Sequence, residues 1–212
     1  GSAAGPSHLS YTAPASTQLT LSWAPGGSIH DLSPAGNLLP AGDWTYRVEP
    51  SVASARVQIN EIVANNLNGL TDEEGATEDW IELWNRGPTT VDLLGWGLSD
   101  DPLLPMKWVF PAVSIASGQY RVVFASGKDR RSSAPGAPLH TDFRLNTGGG
   151  TLLLSDPGLP TRTVDAWVNY PEQRGDLAYG RSAGGDLRYL DPPTPGAPNA
   201  SGLAYFGFVA PT

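Results

Sequence analysis

Cysteine is absent from the 212 residues, which removes disulfide staples, thiolate-ligated zinc and cysteine nucleophiles from consideration. The compartment stays open, because exported bacterial proteins also do without cysteine. Positive charge is sparse: 13 Lys and Arg stand against 21 Asp and Glu, a formal net charge of −8. A phosphate-neutralising face is not expected, so neither nucleic acid nor an anionic membrane surface is a natural partner. No apolar run approaches the roughly 20 residues of a membrane-crossing helix. Uninterrupted helical periodicity is rare too. In its place stand 25 Gly and 20 Pro scattered as punctuation, in a chain that is 40% hydrophobic. That composition supports a packed core and many short strands joined by turns. The chain opens Gly1-Ser2 rather than Met and has no basic, apolar leader pattern. It reads as an excised piece of a longer protein, with Gly1-Ser2 a cloning scar.

Residues 1–17 have the Gly/Ala/Ser/Pro/Thr composition of a linker. Residues 18–54 carry two strand patterns, one with Leu19, Leu21 and Trp23 on a face, the other with Trp44, Tyr46 and Val48. Two strands are unstable alone, so this N-terminal β extension is expected to pack on the main domain. From residue 55 the alternation sharpens. Val57–Val63 is a strand whose period slips after Ile59, and a β-bulge near Asn60-Glu61 would return Ile62 to the core face. Asp79–Asn85 alternates cleanly, with Ile81 and Leu83 on one face and Trp80, Glu82 and Trp84 on the other. Further strands are expected at 95–99, 107–110, 119–125, 151–155, 163–168 and 187–190. Proline crowding over Asp191–Asn199 should end the domain. Residues 200–212 are a C-terminal extension or the start of a next domain. Short strands at this spacing describe an antiparallel β-sandwich, without choosing between immunoglobulin and jelly-roll types.

The wording of the segments adds to the pattern. "VQINEIVANN", "DWIELWNRGPTTVDLLGWGLSDDP", "KWVFPAVSIASGQYRVVFAS", "LHTDFRLNTGGGTLLLSDPG", "VDAWVNYP", "AYGRS" and "PTPGAPN" follow one another in order. Together they resemble the lamin tail domain family in its bacterial form, over residues 55–199. The resemblance implies an all-β, immunoglobulin-like antiparallel sandwich serving as a non-catalytic interaction or adhesion module. It also implies a larger secreted or surface bacterial protein with flanking domains, an extracellular or cell-surface location, a protein or glycan ligand and no cofactor. A monomer is expected. On this fold Ile81, Leu83, Trp96, Leu98, Trp108, Phe110, Val122, Phe124, Leu152, Leu154, Val164 and Trp167 would line the core. Gly95 and Gly118 would occupy turns that need positive φ. A purely structural spacer is the blander alternative.

Several constellations invite chemistry. Gly180-Arg181-Ser182-Ala183-Gly184 spells the nucleophile elbow, but no helix is expected to follow and none of His8, His30 and His140 has an evident Asp partner in sequence. No catalytic residue is assigned. Asp72, Glu73, Glu78 and Asp79 belong to an acidic loop of the kind that holds Ca²⁺. In EF-hand register, however, Ala64 and Gly75 fall where ligands are needed. A solvated loop is the simpler reading. Trp80, Glu82 and Trp84, away from the core face, form a candidate ligand surface if exposed; otherwise the amino-terminal strands would cover them. A Ca²⁺-dependent carbohydrate-binding or hydrolytic sandwich using Asp72, Asp79, Glu82 and Trp84 is the second class of reading, and spacing alone leaves paired carboxylates open. Arg174-Gly175-Asp176 and the sequon Asn199-Ala200-Ser201 recur by chance. Gly148–Gly150 follows no parallel strand, so it is not a phosphate cradle.

Overall fold

The structure, a computed structural model, describes residues 17–23, 42–48, 56–158 and 161–199; for 17–48 it describes backbone. The expectations for the linker and for residues 200–212 therefore lie outside the described residues. The chain divides into two compact units, Gly1–Ala53 and Ser54–Thr212. In the first, β1 (Thr17–Trp23) and β2 (Gly42–Val48) form an antiparallel hairpin with Thr17 opposite Val48 and Trp23 opposite Gly42.

The second unit holds β3 (Val57–Val63), β4 (Trp80–Asn85), β5 (Val91–Asp92), β6 (Gly97–Ser99), β7 (Trp108–Val109), β8 (Ser114–Ile115) and β9 (Tyr120–Phe124). Then come β10 (Arg130–Arg131), β11 (Leu139–His140), β12 (Gly150–Asp156), β13 (Arg162–Tyr170), β14 (Ala178–Arg181) and β15 (Leu187–Leu190). Seven of them make one sheet in the order β10-β11-β9-β4-β3-β14-β15, and four make a second in the order β13-β12-β6-β7. The short strands β5 and β8 form a separate two-stranded sheet whose Val91 and Ile115 join the buried core. Pairing is antiparallel except where β11 runs parallel to β9. Among the described residues there is no helix.

Alternation along each strand sorts side chains between two faces. Ile59, Ile62, Ile81, Leu83 and Val123 of the larger sheet meet Leu98, Trp108, Leu152, Leu154 and Trp167 of the smaller one in a single buried cluster. Burying each such large side chain contributes about 1.5–3 kcal/mol, so this layer carries the fold. Trp108 meets Phe110 edge-on at 4.7 Å and donates its indole N–H to Asp129 Oδ1 at 3.1 Å, which satisfies the one polar atom it buries. Gly95 and Gly118 have φ of 80° and 75°, as their turns require.

One core expectation is corrected. Val122 and Phe124 face the outer side of the larger sheet, and Val123 and Ala125 enter the core instead. The register decides it, because Phe124 lies opposite Trp80 and Val122 opposite Glu82. A strand whose two faces are both covered reads as a continuous apolar run, and the run Val122–Ala125 conceals its phase. The bulge in β3 falls where the period slips, between Ile59 and Glu61. It turns Asn60 and Glu61 both outward while Ile59 and Ile62 remain in the core.

Candidate functional site

The outer face of the larger sheet carries Trp80, Glu82 and Trp84 from β4, beside Asn60 and Glu61 from the bulge of β3. Its two ends differ. At one end Trp80 is 1% exposed and packs with Val63, Phe124, Ala178 and Leu190 in a second, smaller apolar cluster. Glu61 and Glu82 are fully buried beside it. The covering segment is Asp191–Asn199. Thr194 N–H reaches both carboxylate oxygens of Glu61 at 3.2 and 3.1 Å, and the Gly196 N–H donates to Glu82 Oε2. Asn60 Nδ2 donates to Glu82 Oε1 and to Asn199 Oδ1, both at 2.8 Å. Asn199 Nδ2 answers by donating to the carbonyls of Asn60 at 3.1 Å and Arg181 at 2.8 Å. The amino-terminal side chains, the sequence's candidates for this cover, lie outside the described residues.

Among the described residues no cation bonds to these glutamates, and desolvation dominates them. Burial pushes Glu61 up to about 7, against the Thr194 N–H and helped by the charge of Glu82. Glu82 is likewise pushed up to about 7 by burial, against the Gly196 N–H and the Asn60 amide.

At the open end Trp84 stacks on Tyr120, with ring centroids 5.6 Å apart and planes 12° from parallel. Arg86 lies over the Trp84 ring at 5.3 Å and donates to Gln58 Oε1 at 3.2 Å. These residues, with Asn60, Arg181 and Asn199, line a cavity of about 400 Å³. Arg181 is already engaged, bonding both oxygens of Asp165 at 2.8 and 2.9 Å and the Ile59 carbonyl at 2.9 Å.

Ser182 also lines this cavity, and its buried hydroxyl has no hydrogen-bond partner among the described residues. It begins a tight turn closed by Ser182 N–H to the Asp186 carbonyl at 2.8 Å, leading from β14 into β15. That is a hairpin, not a strand-to-helix elbow. Gly180 has a packing reason instead, since a Cβ there would stand 2.8 Å from Asn199 Nδ2 and 2.9 Å from the Asn60 carbonyl. The sequon's Asn199 nitrogen is tied into the same network. The Asp176 carboxylate of the Arg-Gly-Asp tripeptide accepts the Leu67 and Asn68 N–H groups at 2.7 and 2.9 Å, capping a turn.

The acidic loop is built the other way. Lys128 Nζ contacts Asp72, then Glu74 at 2.9 Å and Glu78 at 3.3 Å. Arg130 grips Glu73 and Glu74, and Arg144 reaches Glu78 at 2.6 Å. Burial alone would raise Asp72, but the Lys128 ammonium with the Ala76 and Glu74 N–H groups holds it down at about 2. Glu73's own backbone N–H, then Arg130 and His140, outweigh desolvation and hold Glu73 at about 2 as well. Of the candidate metal ligands, Asp72 and Glu73 converge with His140, one ligand atom from each lying within 4.8 Å of the others. Asp79 behaves differently: burial pushes it up to about 6, against the Asn66 N–H and Arg144.

His140 joins a second arrangement that sequence reading missed. Ser126 Oγ lies 2.8 Å from His140 Nδ1, and His140 Nε2 lies 2.9 Å from Glu73 Oε2. A hydroxyl, imidazole and carboxylate in series is how serine nucleophiles are activated. Here Ser126 is 2% exposed and His140 fully buried, and the hydroxyl also accepts the Lys128 N–H at 3.2 Å. A substrate has no approach to it. The chain of bonds ties the acidic loop to β11.

The family model described as Lamin Tail Domain matches residues 50–172, more than half of the chain. The chain belongs to the lamin tail domain family. No curated protein and no solved structure gives a match. The lamin tail domain is an immunoglobulin-like, non-catalytic interaction or structural module, and the sandwich described above has that architecture. In this lamin tail domain β14, β15 and Asp191–Asn199 lie beyond the matched residues, yet β14 and β15 extend the same sheet as β3 and β4. Glu61 went unassigned in the sequence. The bulge pattern was the available signal, because it turns two consecutive residues outward and one of them is a glutamate.

Proposed function

We propose that this lamin tail domain is an adhesion module of a larger secreted or cell-surface bacterial protein, and that it binds a glycan without covalent chemistry. The observation that carries the reading is the groove at the open end of the outer face. Trp84 and Tyr120 offer flat rings to the C–H face of a sugar. Gln58 lines the same cavity and can serve its hydroxyls, and Arg86 adds a cation. Concave sites of this size with a few convergent polar groups are the usual form of a ligand site. Among the described residues no imidazole stands beside Ser182, and Glu82 lies sealed under the 191–199 segment.

The acidic loop supports a calcium-independent version of this reading. A cation entering at Asp72 and Glu73 would have to displace the Lys128 ammonium and the Arg130 guanidinium. The test is a glycan array probed with the full chain and with Trp84→Ala, each with and without chelator. The expected result is a restricted set of bound glycans, unaffected by chelator and weakened about tenfold or more in the variant, a loss of about 1.4 kcal/mol. Binding that Trp84→Ala leaves unchanged, or binding that chelator abolishes, overturns it.

A further inference from the structure

The segment Asp191–Asn199 lies across the sheet as a peptide lies in a binding groove. It adds no strand to the ladder. Its turn is written in the sequence: Thr194-Pro195-Gly196-Ala197 closes with Ala197 N–H to the Thr194 carbonyl at 3.1 Å, and Gly196 has φ of 81°. Proline second and a positive-φ glycine third is the type II pattern. Pro192, Pro193, Pro195 and Pro198 have no N–H to satisfy, so few donors remain, and Thr194 and Gly196 spend theirs on Glu61 and Glu82. Pro193 and Pro195 line a cavity of about 300 Å³ with Trp80, Val63 and Leu70. Proline-rich segments docking on aromatic-lined grooves are a general mode of peptide recognition, because a stiff chain loses little entropy on binding.

We propose that this face is a peptide-recognition groove that the chain's own strap fills in cis. Its occupant is a turn-forming segment of the pattern Thr-Pro-Gly-x-x-Asn. Glu61 receives the threonine amide and hydroxyl, Glu82 the glycine amide, Trp80 the prolines, and Asn60 the terminal asparagine. Selectivity comes from the two carboxylates, which only a chain with donors two residues apart can serve together. The strap opens apart from the sandwich, because side-chain contacts hold it rather than a strand ladder, and lifting it returns two buried carboxylates to water. Released, the face presents an apolar cluster with paired acceptors, and it takes the same segment, Asp191–Asn199, from a second copy of this chain.

The test uses the full chain carrying Asn199→Ala, which loosens the strap while leaving the groove residues in place, and a fluorescein-labelled peptide spanning residues 191–199. Anisotropy is expected to show peptide binding to the loosened chain, at least about tenfold weaker binding to the unmodified chain, and a further loss when Glu61→Gln and Glu82→Gln are added. No binding to a folded Asn199→Ala chain at millimolar peptide, or binding indifferent to the two glutamines, overturns the proposal. A second measurement needs no variant. The Thr194 and Gly196 amides of the unmodified chain should exchange with solvent about tenfold or more faster than those of Ile81 and Val123. Exchange in step with Ile81 and Val123 makes the strap part of the core fold and also overturns it.

Discussion

Two groups of carboxylates, one in the loop between β3 and β4 and one on the outer face of the larger sheet, meet opposite fates. Asp72 and Glu73 sit against Lys128, Arg130 and His140 and are held down at about 2. Glu61 and Glu82 sit under a proline-rich strap, bonded to neutral N–H groups, and are pushed up to about 7. Burial raises all four. What differs is the set of partners. At Glu73 its own backbone N–H, then Arg130 and His140, and at Asp72 the Lys128 ammonium with two backbone N–H groups, outweigh desolvation. At Glu61 and Glu82 neutral donors alone do not. The acidic loop is therefore a clamp that needs its charges, whereas the strap latch is a place where charge is tolerated at a cost.

The comparison sharpens most with pH. Glu61 and Glu82 hold protons more tightly folded than unfolded. Their contribution is present in full below the ordinary value of 4.5 and is lost as pH climbs through about 7. Asp79, pushed up to about 6, acts in the same direction. Asp72 and Glu73 contribute above their ordinary values of 3.8 and 4.5 and lose that contribution as pH falls through about 2. Urea unfolding should show stability rising on the order of 2–4 kcal/mol from pH 8 to 5, then falling below about pH 3. The double variant Glu61→Gln/Glu82→Gln should flatten the upper limb. If it leaves that limb intact, the latch is not its source.

Lys128→Met comes next. It strands Asp72, whose side chain is buried, and should cost about 1–3 kcal/mol at pH 7 and much less at pH 2, where the carboxyl is half protonated. Gly180→Ala presses a methyl into the Asn60 carbonyl and the Asn199 amide and should cost about 1–3 kcal/mol, with faster exchange at Thr194 and Gly196. The smallest effect belongs to the open end of the face, where Trp84→Ala should change stability by less than about 1 kcal/mol. A loss as large as that of a core residue would place Trp84 in the fold rather than in the groove.

The sandwich itself was legible. Alternation in Asp79–Asn85, the period slip after Ile59 and the glycines at 95 and 118 each carry a local physical signature, and each corresponds to a described strand, bulge or turn. The two-residue strands at β5, β8, β10 and β11 carried no such signature, because two residues cannot display a period. Val122 and Phe124 were assigned to the core because a strand covered on both faces has no polar side to mark its phase. The candidate site was legible only in part. The isolation of Trp80, Glu82 and Trp84 from the core face followed from alternation, but the partition of that face into a sealed end and an open end did not. It depends on where the strap lies, and proline crowding announces that a ladder stops without saying what the chain covers next. The ion pairs of the acidic loop join residues more than 50 positions apart, beyond any local pattern.

The most direct measurement is a carbon-detected NMR titration of the side-chain carboxyls. Glu61 and Glu82 should titrate near 7, and Asp72 and Glu73 near 2, in one folded protein. If all four titrate together between about 4 and 5, near ordinary carboxyl values, the strap does not bury the first pair and the cations do not hold the second.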